Sequence, residues 1–476
     1  MNLNLEPKKV FDIFKEIAKV PRCSGDEKRI SDFLVKFAKD RNLEVIQDEA
    51  LNVIIKKDAT PGYENALPVI LQGHMDMVCV KEDDSDHDFS KDPIELVVDG
   101  DFLKANKTTL GADDGLGVAM ALAVLDSNDL KHPALEVLVT TSEETTMDGA
   151  ANVDGSMLRG KRLLNIDSEE EGRFTLSSAG GAVIEVYFEE ERQDLGKKGL
   201  RIDIDGLEGG HSGQEIARER ANANKLLFRI LDRLREKGNL LIGSIMGGSK
   251  QNAIPSIASA EIYLKGLEKE DEDLGKFIES LVDEYQVEDP GLNITLSDCD
   301  IESAMSLNAT NNFIDFGMII PDGVLSHSKD IEGLVETSIN DAVIMKRDGR
   351  FLYELSLRSS KDSKYDYVIA LLKAAARRCQ GDLEITNTYP SWEFEKDSDL
   401  QRISAKTYKE VFNKEGIFDA THAGLECGML KAALPDCEMI SFGPDIFDAH
   451  SPKERASISS TQNMWKFTVK LLENLK

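Results

Sequence analysis

Apolar residues recur at helical spacing over residues 9–18 (KVFDIFKEIA) and again over 29–40, which predicts two amphipathic helices. The short apolar run PVILQG (68–73) reads as a strand, and LGVAMALAVL (116–125), rich in small apolar residues, as a buried helix. LEVLVT (135–140) and LLNI (163–166) are again of strand length. Strands alternating with helices predict an α/β fold with a mostly parallel sheet and its reactive groups at strand ends. After SSAGG (177–181) the texture changes. VIEVYFEE, RIDID and SAEIYLKG alternate with period two, as half-buried strands of an antiparallel sheet do, and a helical stretch over 215–236 lies between them. Beyond Pro390 the first pattern returns, with SAKTYKEVF as a helix and EMISFG as a strand. The expectation is one domain, residues 1–180 plus 392–476, interrupted by an inserted α+β domain, 181–391, large enough for two subdomains.

Composition narrows the classes. The chain has 476 residues, 87 acidic against 57 basic, for a net charge of −30. Such a balance repels phosphate backbones, so a nucleic-acid partner is excluded. No run of about 18 apolar residues offers a spanning helix, and the first twenty residues lack an apolar signal core, so no membrane partner and a cytoplasmic location are expected. The six cysteines are scattered without a C-x-x-C pair, and are expected as buried or inert thiols. The acidic clusters at 82–88 and 268–274 read as solvated loops or helix faces.

Metal-type ligands concentrate at the ends of the apolar runs. In GHMDM (73–77) residues i and i+2 of an extended chain share a side, so His74 and Asp76 emerge together. This suits a metal-bound imidazole held through its other nitrogen by a carboxylate, or a plain His–Asp hydrogen bond. GADDGLG (111–117) places Asp113 and Asp114 at the opening of a helix, as ligands or as an acidic N-cap. Glu143 and Glu144 close the strand LEVLVTT; adjacent carboxylates raise one pKa unless a cation sits nearby, although a helix start uses them too. Asp167 follows LLNI, as a ligand or a turn residue, and DAHSP (448–452) supplies a second histidine, His450. In an open α/β sheet such strand ends converge on one crevice, and the joint reading is a two-metal site. Carboxylates and imidazoles without thiolates suit Zn²⁺, with Mn²⁺ or Co²⁺ as alternatives, in a hydrolytic role.

GHMDMV, GADDGLG, TSEET, NIDSEE and DAHSP, in this order, resemble the dizinc metallopeptidase family of aminoacylases, carboxypeptidase G and succinyl-diaminopimelate desuccinylase, and within it the Xaa-His dipeptidase branch. GGHSG (209–213), QNAIPS (251–256) and HAGLECG (422–428) extend the likeness to essentially the whole chain. One departure is Gly115, where many members carry lysine. The resemblance implies a dizinc peptidase catalytic domain with an inserted lid. It makes Asp113 the bridge between two zinc ions, His74 and Asp167 the further ligands of one, and Glu144 and His450 those of the other. Asp76 would orient His74, Glu143 would be the general base, and the Asp113–Asp114 peptide would be cis.

His211, in GGHSG, becomes the candidate oxyanion donor, and the insert bearing it would have to close over the catalytic domain. Asn252, His422 and Gly424 are implied substrate contacts. Arg358, in ELSLRSS, is a candidate clamp for a substrate carboxylate or a structural arginine. The implied activity is a dipeptidase acting on unblocked dipeptides of the Xaa-His type, in a homodimer formed through the lid. An N-acyl-amino-acid deacylase or carboxypeptidase, or a metal-binding protein without catalysis, are the alternatives. His87, His132 and His327 are expected to be structural, and Trp392 and Trp465 to pack.

Overall fold

The structure is a computed structural model that describes residues 4–189 and 191–476; the first three residues and Glu190, which closes VIEVYFEE, lie outside them. The chain divides into two compact units. One comprises Met1–Ser178, Phe394–Ala420 and Leu425–Lys476; the other comprises Ala179–Glu393 and Thr421–Gly424.

The first unit is built on an eight-stranded mixed sheet. Its middle four strands, Leu135–Thr140, Val69–His74, Arg162–Asn165 and Glu438–Ser441, run parallel. They are buried almost throughout, which is why they read as unbroken apolar runs. The flanking strands Glu44–Gln47, Val53–Lys57 and Arg173–Ser178 pair antiparallel, so the parallel character belongs to the centre. The helix Ala112–Leu125 is apolar all round and accordingly buried, and it packs against the amphipathic helix Lys8–Ile17. Because the central strands are parallel, their C-terminal ends share one edge, where His74, Thr140, Asn165 and Ser441 stand.

The second unit holds one nine-stranded sheet whose pairings are all antiparallel, covered by helices such as Ala223–Arg235 and Asp362–Arg378. Within that sheet the strands Leu241–Gly247 and Val335–Arg347 meet through one pair, Gly247 and Ile344. The helix expected over 215–236 starts at Ala223. Asn222 caps it by accepting from the N–H groups of Asn224 and Lys225, and Ile216–Arg218 forms a separate 3-10 turn.

The cysteine expectation needs correction. Cys23 and Cys79, 56 residues apart, form a disulfide, and Cys299, Cys379, Cys427 and Cys437 are free. Spacing could not reveal the pair, because it arises where residue 23 bridges to Met77 alongside the chain leaving the His74 strand. Among the described residues no helix is long and apolar enough to cross a membrane.

Candidate metal centre

Seven of the sequence-selected residues gather at the shared edge of the parallel strands. Asp113 extends one carboxylate oxygen to His74 Nε2 and the other to His450 Nε2, each at 3.1 Å. Asp167 approaches His74 Nε2 at 3.4 Å, and Glu144 approaches His450 Nε2 at 2.8 Å. One carboxylate therefore spans two imidazole–carboxylate pairs. Asp76 lies 3.4 Å from His74 Nδ1 and accepts hydrogen bonds from the Ser24 hydroxyl and the backbone N–H groups of Glu143 and Glu144. It thereby fixes both the imidazole and the loop carrying the paired glutamates. The Asp113–Asp114 peptide is cis. Asp114 is buried and accepts from the N–H groups of His74 and Gly117. A Cβ at Gly73 or Gly117 would collide with its carboxylate, which accounts for both glycines.

The electrostatics test whether cations fit. Against the cost of burial, the charge of Asp167 and hydrogen bonds to Asp113 and Asp167 raise the His74 pKa well above its usual value. Hydrogen bonds to Asp113 and Glu144 push His450 up to about 11. Burial pushes Asp167 up to about 6 and Glu143 well above the ordinary glutamate range, Asp167 and Glu426 adding to the latter by repulsion. In the protein alone, protons on the two imidazoles offset the charge of the surrounding carboxylates. Divalent cations would replace those protons on the imidazole nitrogens and neutralise the carboxylate oxygens beside them, so the donor set fits them. Ligand atoms of His74, Asp113 and Glu144 all lie within 4.8 Å of one another, close enough to share an ion.

Three surrounding groups gave no sequence signal. Glu454 is buried and accepts from four consecutive N–H groups, those of Leu110, Gly111, Ala112 and Asp113. Arg22, also buried, donates to the carbonyls of Met75, Asp76 and Gly111. Its guanidinium lies 2.6 Å from where a Cβ of Gly115 would stand, with the Phe14 ring at 2.9 Å, so a lysine has no room at that position. Glu426 accepts from Gln72 Nε2 at 2.6 Å, and its other oxygen is buried without a partner. Burial pushes Glu426 up to about 7.

The remaining candidates cluster in the second unit. His211 and Arg358 both pack against Gly213, within about 3 Å of where its Cβ would stand. Arg358 donates to the Tyr389 hydroxyl at 3.0 Å, and Gly424 packs against the Tyr389 ring. His422 Nε2 lies 2.7 Å from the hydroxyl of Ser338, the cross-strand neighbour of Arg358. Asn252 accepts at its carbonyl from the N–H of Ser212, beside His211. Burial and the Arg358 charge lower the pKa of His211, and the same two causes pull His422 down to about 3. Arg358 Nε and His422 Nδ1 are buried without partners. Neutral imidazoles and a guanidinium with spare nitrogens can receive a carboxylate. His87 instead packs edge-on against Phe89, His132 is buried beside Thr60 and the Pro133 carbonyl, and His327 stands exposed on the strand Gly323–His327. Trp392 is buried, and Trp465 packs against the core of the first unit.

Residues 70–474 match the model of peptidase family M20/M25/M40. The chain is 37% identical to the cytosol non-specific dipeptidase of Escherichia coli (strain K12), over 99% of this chain and 98% of the relative. Its structure is similar to that of aminoacylhistidine dipeptidase from Vibrio alginolyticus, with a TM-score of 0.93 and 35% identity over 99% and 97% of the two chains. An aminopeptidase of Bacillus cereus shares the fold at a TM-score of 0.58 and 14% identity, over 99% of each chain.

Proposed function

The chain belongs to the peptidase family M20/M25/M40, and from that premise we propose that it is a metal-dependent dipeptidase acting on unblocked dipeptides, with Xaa-His among its preferred substrates. The observation that carries the reading is the Asp113 carboxylate reaching two histidines at 3.1 Å, each with its own further carboxylate. In this reading His74, Asp113 and Asp167 hold one cation, and His450, Glu144 and Asp113 the other, zinc in both places. When bound, such a pair polarises the scissile carbonyl and makes a nearby water more acidic. Glu143, whose side chain has no hydrogen-bond or ion-pair partner among the described residues, would take the proton of the attacking water and return it to the leaving amine, and burial raises its pKa in the direction that favours taking the proton. Asp76 keeps His74 oriented throughout.

The second cluster supplies the rest of the reading. His211 would donate to the developing oxyanion, with the inserted unit acting as a lid, while Arg358, His422, Asn252 and Gly424 would receive the substrate's C-terminal part. The unpartnered Arg358 Nε supports a carboxylate there. The names of the Escherichia coli and Vibrio alginolyticus relatives support the substrate class, and the former supports a cytosolic location. The Cys23–Cys79 disulfide is uncommon in that compartment, and thiol trapping in intact cells would check the location. A homodimer through the inserted unit is supported by the exposed Met246 and Ile257 on adjoining segments; light scattering at a mass near 52.7 kDa would refute it.

The test is side-by-side hydrolysis of alanyl-histidine and N-acetyl-alanine by zinc-loaded protein, with a chelator control. Chelator-sensitive cleavage of the dipeptide alone is expected. Cleavage of the acetylated substrate alone would overturn the substrate class in favour of a deacylase, and two bound metals without hydrolysis would overturn the enzyme.

A further inference from the structure

We propose that Glu454 is a positioning residue that ties the loop carrying Asp113 to the loop carrying His450, and so holds together the metal site that these two residues would share. This rests on the dimetal reading above.

Four consecutive backbone N–H groups, from Leu110 to Asp113, point at the Glu454 carboxylate over 2.7, 2.9, 2.7 and 3.4 Å. Buried N–H groups need an acceptor, and Glu454 serves all four. The N–H groups at the start of a helix have no acceptor within it, and the N-cap Gly111 has no side chain to supply one. On the opposite side of the same segment Arg22 takes the Gly111 carbonyl. The Gly111 peptides are thus gripped at both ends, two residues before the bridging aspartate. Glu454 also stands four residues after His450, in a turn closed by its own N–H on the Ser451 carbonyl. Its side chain therefore reaches across 341 residues of sequence to fix the other ligand-bearing loop.

The two halves of the site differ in what supports them. His74 ends a central strand, and Asp167 follows another by two residues. His450 sits on a loop, half exposed, with a left-handed backbone. The half that depends on loop against loop is the half Glu454 spans.

The experiment uses wild type and E454Q, both stripped and reloaded with Zn²⁺. It reads bound metal per chain after dialysis, zinc affinity by chelator competition, and melting temperature with and without zinc. Expected is loss of one of the two cations and a weakening of the weaker zinc affinity by about 10- to 100-fold, the range for groups that support metal ligands. The gap in melting temperature between zinc-loaded and stripped forms should shrink. Unchanged affinity with an equal drop of both melting temperatures would make Glu454 merely structural and overturn the proposal. Should E454Q not fold, E454D keeps the charge on a shorter stem and is read by the same affinities; wild-type affinity in it would overturn the proposal too. Failure of the wild type to bind two ions would refute the dimetal reading instead, so the two failures are distinguishable.

Discussion

Acidification should destabilise the inserted unit through one side chain, His422. Its imidazole is buried against the Ser338 hydroxyl, and burial together with the Arg358 charge pulls its pKa down to about 3. An unfolded histidine titrates near about 6.5. Between these values the unfolded chain holds a proton that the folded chain refuses. The contribution to stability is therefore fully present above about pH 6.5 and drains away as the pH falls toward 3. From about pH 7.5 to about pH 5 the loss comes to about 2 kcal/mol, with a ceiling of about 5 kcal/mol near pH 3. Buried acids act in the opposite sense. Asp322, raised to about 7 by burial and the Asp341 charge, keeps its proton more readily when folded, so its contribution grows as the pH falls. A wild-type curve alone mixes the two effects. H422Q separates them, because glutamine can still hydrogen-bond to Ser338 and cannot titrate. Denaturant unfolding of metal-free wild type and H422Q at several pH values gives their stability difference directly. The wild type's advantage should shrink by about 2 kcal/mol between about pH 7.5 and pH 5. A difference that stays constant with pH would refute the burial argument.

Other outcomes follow from the same structure. Glu143→Gln should lower kcat by about 10²- to 10⁴-fold with metal content intact, and unchanged turnover would remove Glu143 as the proton carrier. Loading zinc near pH 8 should release at least one proton per chain, because His450, raised to about 11, must lose its proton to bind; a pH-stat reading without release would contradict that protonation. Reducing Cys23–Cys79, which closes a loop of 56 residues, should cost up to about 4 kcal/mol in the chain-entropy account, and native thiol titration that counts six free cysteines would contradict the disulfide. Gly117→Ala puts a Cβ against the Ile166 carbonyl and the Asp114 carboxylate and should destabilise by about 1–3 kcal/mol, checked by thermal unfolding of the metal-free protein.

The metal cluster was legible because its ligands stand within a few residues of unbroken apolar runs, and parallel strands deliver their ends to one edge. Ligand types and strand ends suffice to gather His74, Glu144 and Asp167. Spacing does not say that Asp113 reaches both histidines, since that depends on where the 448–452 loop lies, and only the resemblance supplied it. The second cluster was legible only motif by motif. His211 of GGHSG and His422 of HAGLECG are 211 residues apart in the chain, and nothing in either motif shows that Arg358 lies beside both imidazoles and lowers their pKa values.

What escaped the sequence has a common physical cause. Glu454 and Arg22 act on backbone groups, and a backbone acceptor or donor leaves no residue type behind to be read. Their partners, 341 to 344 and 53 to 89 residues away, are whichever peptides the fold presents. Gly115 shows what that hides. In sequence it is a departure from the family pattern, in which many members carry lysine. In the fold a lysine there would drive into the Arg22 guanidinium, so a cation already stands at that place, supplied by another segment of the chain. Arg22 is itself held there by the backbone carbonyls of Met75, Asp76 and Gly111. A lysine placed at 115 should therefore be accommodated better when Arg22 is shortened at the same time. G115K alone should lose folded protein, and the double variant G115K with Arg22→Ala should recover part of it. Equal yields for the two would mean that Arg22 does not occupy that space.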